Sequence, residues 1–523
     1  MSIAAAAVFY FAATPNLTRQ GLYYDELHQA TGAFAYIGES PTMFSIGSVA
    51  GLPVLNTAYS GAIKTGIFGL WLRLSQRPFT VRTWRLLGIG LAAAGLGIFV
   101  FFARPCLGNL PCLLFVLLVT SDATVILATR HDWGPVALAL ALRLIFLGFW
   151  LAGFQASGGS SVSVGNSAVL GFIVGIALFE KLSSIVLLVP LLLILVTRHS
   201  PSRARHLVAA GAGMFAGSLP LLLANLGSLA QRGMLVSLDQ IGGMADRSLP
   251  LSELFVRYLD LSRGAEVQSF ILGRELSQTA FPSLMLAVTA LIATGVLALV
   301  LLRTHAAFPR SLTMLLAYLA IAPALHLLPA KTWVHHWVLG TPFQYMAFAL
   351  VVAGILGALP SLAGRRRVGA AATLAVLAVV VLARVPQTIA VEGALLRGET
   401  SRAWHPSLTE LGRFAADRSP EALFLASDWG VATQICCLSQ GRPDVVEEVF
   451  WRSTGSRRLE EILDRSGKST FYLVRTEPPA GIRPENTLRV EEDASGLAAW
   501  VEVPAEPEAN ALEVIRVRKF VRR

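Results

Sequence analysis

The chain has 523 residues, of which 54% are hydrophobic and only 15% are charged, and its mean hydropathy is +0.60. This composition excludes a soluble globular protein and is typical of a chain that crosses a membrane many times. The net charge of +10 is unevenly placed: residues 1–400 carry 26 Lys and Arg against 14 Asp and Glu, whereas residues 401–523 carry 17 against 19. Cytoplasmic loops of membrane proteins are rich in Lys and Arg, so the excess does not indicate nucleic-acid binding.

The first apolar run, 2–14, is shorter than the ~20 residues that a membrane helix needs, but we count it as the first span. It lacks a basic beginning and an obvious cleavage site, so it does not read as a signal peptide. The later runs lie at 86–103, 110–129, 135–155, 167–180, 182–197, 207–225, 282–302, 311–329, 337–359 and 369–385. Together they predict an α-helical polytopic membrane protein of about 11 transmembrane helices.

A further amphipathic run at 52–72 decides the predicted topology. If it does not cross and the N-terminus is inside, the basic clusters RHSPSRARH and GRRR both fall in the cytoplasm, as the positive-inside rule requires. If it crosses, those clusters fall outside. We therefore predict that residues 15–85 form one long extracytoplasmic loop, whose amphipathic run lies on the membrane surface.

The pattern changes after the last span. Strand-like runs at 422–427 and 470–475 alternate with helical stretches at 407–418 and 456–465. This alternation predicts a small α/β domain. We therefore divide the chain into a transmembrane catalytic domain, 1–390, and a C-terminal extracytoplasmic domain, 400–523.

The stretch Gly21–Ala30, GLYYDELHQA, places three ionisable side chains just after the first span. In a helix, Asp25 and His28 would share one face because they are three residues apart. Acidic groups beside a membrane span are costly unless they have a role. The simpler interpretation is a solvated loop.

Asp132 is a second acidic residue at the mouth of a span, in the sequence RHDWG. The following Gly134–Pro135 suits the start of a helix, and Asp132 could cap that helix. A cap and a functional site are compatible with each other.

Lysine is rare in this chain, and three of its five lysines fall in the membrane region: Lys64, Lys181 and Lys331. The predicted topology places all three outside, against the positive-inside bias. Compact cations there suggest a phosphate ligand. Lys181 could instead form a local ion pair with Glu180.

The pair His335–His336 lies between Trp333 and Trp337 on the same predicted face. An interfacial aromatic belt explains the tryptophans without a further function. Adjacent histidines cannot share one helix face, so a two-histidine metal site is not indicated. One of them could face a phosphate, or both could be interfacial.

Carboxylates, cations and aromatic residues on one membrane face suit a transfer reaction. A carboxylate can accept a proton from an incoming hydroxyl group, and a cation or a divalent metal can stabilise a departing phosphate. The sequence contains no Walker loop, no nucleotide-binding glycine fingerprint and no HExxH motif. These absences argue against a nucleotide-sugar donor and against a zinc peptidase.

The order of these motifs resembles the GT-C glycosyltransferases, in particular the protein O-mannosyltransferases and the lipid A aminoarabinose transferases. The resemblance is carried by YYDELHQA, SDATVILATRHDWGPVAL, GFIVGIALFEKLSSIVLLVPLLL and AKTWVHHWVLGTPF, and it covers most of residues 1–385. It implies an inverting transferase that moves a sugar from a polyprenyl phosphate to an extracytoplasmic protein, lipid or glycan. It also implies a bacterial plasma membrane as the location.

The resemblance assigns the catalytic base to Asp25, with Glu26 as its acidic neighbour and Asp132 as the second acidic position. We expect phosphate or substrate contacts from a wider set: Tyr59, Lys64, Lys181, Lys331, His335 and His336. The family's Lys-Pro-Pro stretch is replaced here by NTAYSGAIK. No cofactor is certain, and a divalent metal could be held by a set of three residues: Asp25, His28 and Asp132. The alternative function is a transporter or flippase for lipid-linked sugars.

Overall fold

The computed structural model describes residues 1–39, 47–155, 163–196, 203–238, 249–260, 264–276, 307–328, 332–363, 366–451, 455–480 and 484–523, with five isolated positions between 292 and 300. The predicted span at 282–302 therefore lies outside the described residues except at those five positions. Lys331 also lies outside them, so its predicted phosphate contact stays a prediction.

The part of the chain before residue 397 is mainly helical. Its helices are α1 (Ser2–Ala13), α2 (Tyr24–Thr31), α3 (Ile63–Ser75), α4 (Val81–Leu107), α5 (Asn109–Thr120), α6 (Ala123–His131), α7 (Val136–Gln155), α8 (Val164–Glu180), α9 (Leu188–Val196), α10 (Arg203–Gly217), α11 (Leu219–Arg232), α12 (Leu251–Asp260), α13 (Ala265–Leu272), α14 (Ala307–His326), α15 (Val334–Trp337), α16 (Thr341–Ala363) and α17 (Arg366–Leu396). Short 3₁₀ turns lie at Gly32–Ile37, Leu182–Leu187 and Val338–Gly340.

In the described part of the chain, four helices are long and apolar enough to cross a membrane, or up to six if two bent pairs each count as one span. The predicted number of about 11 transmembrane helices is therefore not confirmed. The long apolar helices do support an integral membrane protein. One bent pair is the predicted run 110–129, which is broken into α5 and α6 at an angle of 62°. The break follows from Asp122, which accepts the N–H of Thr124 at 2.8 Å and so begins a new helix.

Helices α8 and α10 pack closely through glycines spaced four apart on both helices. A Cβ on Gly171 would lie 1.9 Å from the carbonyl oxygen of Ala210, and one on Gly213 would lie 1.9 Å from that of Ala168. Small residues at this spacing let two membrane helices approach until their backbones touch. Dispersion contacts therefore hold α10 against α8, whose C-terminal end at Glu180 reaches the site described below.

The first long loop contains more regular structure than the amphipathic run at 52–72 suggested. Its strands β1 (Gly47–Val49), β2 (Leu52–Thr57) and β3 (Ser60–Gly61) form a small antiparallel sheet, and α3 follows them. Helix α3 buries Phe68 and Leu72, while Leu70 and Leu74 are 50% and 75% exposed. An exposed apolar stripe opposite a packed one is what a helix on a membrane surface needs, so that location remains our proposal.

The C-terminal region is a mixed sheet with helices. Its elements are α18 (Ser407–Arg418), β4 (Ala422–Ala426), α19 (Ala432–Leu438), β5 (Val446–Glu448), α20 (Ser456–Ser466), β6 (Thr470–Thr476), α21 (Pro484–Ser495), β7 (Trp500–Val503), α22 (Pro507–Asn510) and β8 (Ile515–Arg522). The strand order is β5-β4-β6-β8-β7, with β4 parallel to β5 and β6, and β8 antiparallel to β6 and β7. The two strands and two helices predicted for this region are confirmed. Amphipathic helices and apolar strands can be recognised from local sequence patterns alone.

Candidate active site

The stretch Gly21–Ala30 is folded and largely buried, so the solvated-loop interpretation is wrong. It forms helix α2 (Tyr24–Thr31), with Asp25 and Glu26 in its first turn, where a negative charge suits the helix dipole. Asp25 and His28 share one face as predicted, and Oδ1 of the aspartate lies 3.9 Å from Nδ1 of the histidine. Burial is the main cause that lowers the pKa of His28, to about 3, so this imidazole is neutral.

Glu26 anchors the loop to helix α4 through Arg85. The guanidinium donates Nε to Oε1 at 2.6 Å and Nη2 to Oε2 at 2.8 Å, and neither side chain has any exposed surface. Arg85 also donates to the carbonyl oxygens of Leu17 and Gly21, at 2.5 Å and 3.0 Å. Both oxygens of Glu26 are therefore committed, which favours a structural role over assistance in proton transfer.

The C-terminal domain holds the same loop from its other side. Main-chain and side-chain hydrogen bonds join the two: Gly21 N to Trp404 O at 2.7 Å, Leu22 N to Thr409 Oγ1 at 3.1 Å, Gln434 Nε2 to Leu22 O at 2.7 Å and Tyr24 Oη to Glu448 Oε1 at 2.5 Å. Glu448 is the last residue of β5, so the carboxyl end of a parallel strand contacts the residue next to Asp25. The C-terminal domain thus fixes the position of the loop.

Asp25 is free of these anchors. Its side chain is 38% exposed, and no lysine or arginine nitrogen of the described residues lies within 4 Å of its carboxylate. Although part of the side chain is exposed, the surrounding protein desolvates the carboxylate and raises the pKa of Asp25 from 3.8 to about 6, against the opposing effects of the Lys181 charge and the Tyr23 hydroxyl. An accessible carboxylate with a pKa of about 6 is mostly ionised at neutral pH and can accept a proton.

Asp132 is paired with Lys64. The ammonium group of Lys64 contacts Oδ2 of Asp132, and both side chains are at most 2% exposed. The other oxygen, Oδ1, accepts the N–H of Ala137 in the first turn of α7 at 2.7 Å. The predicted cap is therefore present, and the lysine is neutralised by an acid and lies over the Trp84 ring at 3.7 Å. This arrangement favours a structural pair over a phosphate contact from Lys64.

Lys181 has a different environment, although it is only 6% exposed. Its ammonium group has no acid within 4 Å and no hydrogen bond in the described part of the chain, and the suggested pair with Glu180 is not present. Glu180 instead accepts the N–H of Ile63 at 3.1 Å. Burial lowers the pKa of Lys181 to about 7, against the charges of Asp132 and Asp25, so both acids lie close enough to act on it.

Gly134 provides the space that Lys181 occupies. A Cβ at this position would lie 2.7 Å from Nζ of Lys181, and the backbone has a φ of +81°, which glycine adopts without strain. The positive φ favours glycine at position 134, and a side chain there would displace the ammonium group of Lys181.

Three other residues predicted for the site, His335, His336 and Tyr59, lie near Lys181 or Asp25 and have different contacts. Trp133 donates Nε1 to Nδ1 of His335 at 3.0 Å, whereas Nδ1 of His336 accepts the N–H of Trp333 at the start of α15. Nε2 of His335 lies 3.8 Å from the position that a Cβ of Gly134 would take, so this histidine lies on the same side of Gly134 as Lys181. Burial and then the charge of Asp25 raise the pKa of Tyr59, which places this phenol near the same carboxylate.

A metal site lacks support in the described residues. No group of three or more His, Cys, Asp and Glu side chains comes together there as metal ligands, so the expected set of Asp25, His28 and Asp132 does not converge. The four cysteines are all unpaired thiols. We therefore derive no step through a metal ion.

The sequence analysis assigned no role to four buried arginines of the helical part: Arg85, Arg130, Arg143 and Arg384. Arg85 lies at the edge of the apolar run 86–103. Arg143 lies in the middle of the apolar run VALALALRLIFLGFW and is 1% exposed in α7. A single charge within a membrane span is itself a signal of function, so Arg143 could have been found from sequence, whereas the partner of Arg85 could not.

Comparison with known proteins shows a likeness of structure and none of sequence. No protein-family model and no curated protein matches the chain. ArnT from Cupriavidus metallidurans in the apo state superposes with a TM-score of 0.61 at 13% identity, over 99% of this chain and 96% of that one. Arabinofuranosyltransferase AftD from Mycobacteria gives 0.48 at 14% identity over 99% and 39%, and the Archaeoglobus fulgidus oligosaccharyltransferase gives 0.47 at 12% over 91% and 69%.

The fold assignment depends on the first of these comparisons, which covers almost the whole of both chains. It includes the helical part and the C-terminal sheet together, so the resemblance predicted from the sequence motifs is confirmed for the fold. The chain therefore shares the fold of this ArnT structure.

Proposed function

We propose that the protein is an inverting glycosyltransferase that moves a sugar from a polyprenyl-phosphate donor to a hydroxyl or amine acceptor on the extracytoplasmic side. The observation that carries this proposal is Asp25, an accessible carboxylate on a loop that is anchored on both sides. A lysine lies nearby that has no acid within 4 Å among the described residues. Fixed surroundings and a free reactive group are what catalysis by positioning requires.

In the proposed reaction, Asp25 accepts the proton of the acceptor as the acceptor atom attacks the anomeric carbon of the sugar. The bond from that carbon to the donor phosphate oxygen breaks, and its electron pair leaves with the lipid phosphate. Lys181 stabilises the negative charge that grows on this leaving group. Attack opposite to the leaving phosphate inverts the configuration of the sugar.

The other acidic residues have positioning roles in this proposal. Glu26 holds Asp25 in place through Arg85, and Asp132 holds Lys64 and the first turn of α7. The carboxyl end of β5 in the C-terminal domain contacts Tyr24, so an acceptor that binds this domain would lie near the base. We place the loop and the C-terminal domain outside the membrane because of the charge distribution of the loops.

The test is to incubate purified protein with a panel of polyprenyl-phosphate sugars and to measure release of the lipid phosphate. Asp25→Asn should lower transfer by about 10²- to 10⁴-fold, the usual contribution of a general base, without a change in thermal unfolding. Asp417→Asn, at an exposed aspartate of α18, is the matched control and should keep full activity.

Wild-type activity in D25N would remove Asp25 as the base. If no donor releases lipid phosphate but labelled lipid crosses reconstituted vesicles, the flippase alternative replaces the proposal.

A further inference from the structure

A cleft with a volume of about 370 Å³ lies in the C-terminal domain, between the edge strand β5 and helix α20. Its polar walls are formed by charged side chains and one indole: Glu447, Glu448, Trp451, Arg458, Glu461 and Arg465. Ligands of parallel sheets bind beyond the carboxyl ends of the strands, and Glu447 and Glu448 are the last two residues of β5. The cleft therefore lies where a ligand of this sheet is expected, and its volume is in the range of small-molecule sites.

Glu448 joins this cleft to the loop that carries Asp25. Its Oε1 accepts the hydroxyl group of Tyr24 at 2.5 Å, and its Oε2 accepts the indole N–H of Trp451 at 2.7 Å. Trp429, which follows the carboxyl end of β4, packs against the Tyr24 ring with 4.7 Å between the ring centroids. One carboxylate therefore contacts both a wall of the cleft and the residue that precedes Asp25.

Acidic and basic groups occur together in the cleft, so its lining does not favour a ligand of one charge. Arg465 lies 3.4 Å from Glu447, and both oxygens of Glu448 are already in hydrogen bonds. Arg458 has no acid within 4 Å in the part of the chain that the structure describes. Carboxylates only accept hydrogen bonds and guanidinium groups only donate them, whereas a hydroxyl group does both. The lining thus suits a neutral ligand with several hydroxyl groups.

Trp451 adds a flat apolar surface that is held in place. Its side chain is 37% exposed, and its ring packs against that of Phe450 with 4.6 Å between the centroids. Because its N–H is already bonded to Glu448, the indole can offer its face to a ligand without losing a hydrogen bond. A sugar ring has the matching surface, an apolar C–H face with hydroxyl groups around its edge.

We infer that this cleft binds a neutral sugar unit of a glycan acceptor, with the sugar ring on Trp451 and its hydroxyl groups on Glu447, Arg458 and Arg465. This inference rests on the proposed function and deepens it, because it selects a glycan as the class of acceptor. Tyr24 lies between the cleft and Asp25, so the acceptor is an oligosaccharide. One of its units occupies the cleft, and its terminal hydroxyl group reaches the base.

The test measures binding without any sugar donor. Full-length protein in nanodiscs is applied to an array of neutral oligosaccharides, acidic oligosaccharides and unglycosylated peptides, and the Kd of the neutral oligosaccharide that binds best is measured by titration calorimetry. We expect neutral oligosaccharides to bind in preference to the other two classes. Trp451→Ala should weaken this binding by about 10-fold, the upper range for a lost ring contact.

A second variant separates ligand contact from folding. Arg458→Gln should also weaken binding by about 10-fold, through loss of a hydrogen bond from a charged group. Its thermal unfolding should match that of the wild type, because Arg458 is exposed and has no acid within 4 Å among the described residues. Arg413→Gln, at an exposed arginine of α18 outside the cleft, is the matched control and should keep wild-type binding.

The inference is overturned if no neutral oligosaccharide binds, or if binding is unchanged in both W451A and R458Q. Preferential binding of peptides would overturn the glycan in favour of a protein acceptor, and preferential binding of acidic oligosaccharides would overturn the neutral sugar. If neutral glycans bind through Trp451 but no donor sugar is transferred, the saccharide site stands and the proposed function fails. Transfer to a lipid or a peptide without any glycan binding would have the opposite meaning.

Discussion

Two sets of charged side chains lie at helix α2, and they differ in whether the charges are paired. On one side Arg85 satisfies both oxygens of Glu26 and binds three main-chain carbonyl oxygens. On the other side Lys181 has no acid within 4 Å in the described chain, and the Asp25 side chain is 38% exposed. The first region is electrostatically complete, and the second is not.

This difference in charge pairing distinguishes side chains that hold the loop in place, such as Arg85, from side chains that can bind a ligand, such as Lys181. A guanidinium with a bidentate acid and several carbonyl acceptors contributes rigidity, and removing one partner is strongly unfavourable. An unpaired cation next to an accessible carboxylate contributes little rigidity but can bind an anion and organise a reaction. The predictions below test this division, from the largest expected effect to the smallest.

Arg85→Met should destabilise the protein by about 3–5 kcal/mol, because it leaves the fully buried Glu26 charge without a partner. Urea or thermal unfolding of the purified protein measures this change. The neighbouring Arg82→Met, which alters an exposed arginine of α4, should change stability by less than about 0.5 kcal/mol. Equal effects of the two substitutions would show that Arg85 does not anchor the loop.

Gly134→Ala should lower the affinity for a phosphate-bearing donor by about 10-fold, because the added methyl group displaces the ammonium group of Lys181. The backbone strain of about 1–2 kcal/mol should lower stability. The Michaelis constant for the donor is the measurement, with thermal unfolding recorded alongside. Gly90→Ala, in α4 with no atom within 4 Å of the added methyl group, is the matched control and should keep wild-type affinity. An unchanged donor affinity in G134A would mean that the position of Lys181 does not matter.

The pH dependence of kcat/KM should be bell-shaped. Asp25 acts as a base only when ionised, so activity should rise with pH through its pKa of about 6. Lys181 binds phosphate only when protonated, so activity should fall as pH rises through its pKa of about 7. The charged or titratable groups near Asp25 are Lys181, His28 and three tyrosines, Tyr23, Tyr24 and Tyr59. Of these only Lys181 titrates in this range.

Lys181→Arg should move the falling limb to higher pH by at least one unit, because arginine stays protonated. The rising limb should stay near its wild-type position. A falling limb that does not move would show that Lys181 is not the titrating acid of the free enzyme.

Several features of the fold could be predicted from the sequence because they depend on neighbouring residues. The apolar runs gave the helices of the described part, and the alternation after residue 400 gave strands β4 and β6 and helices α18 and α20. The position of Asp25 one helical turn from His28 also follows from local spacing. The break of the run 110–129 was not predicted, because the apolar pattern continues across Asp122, whose carboxylate begins the second helix.

The sequence by itself determined that this is a membrane protein with an acidic loop after its first helix and a small α/β region at its end. Only the tertiary structure decided which charges are neutralised, because the partners are far apart in the chain: Glu26 meets Arg85 and Lys64 meets Asp132. Lys64 and Lys181 look alike in sequence, yet one contacts an acid and the other has none within 4 Å in the described residues. Coulomb energy depends on distance and on exclusion of water, and both are set by the packing of helices and not by residue type.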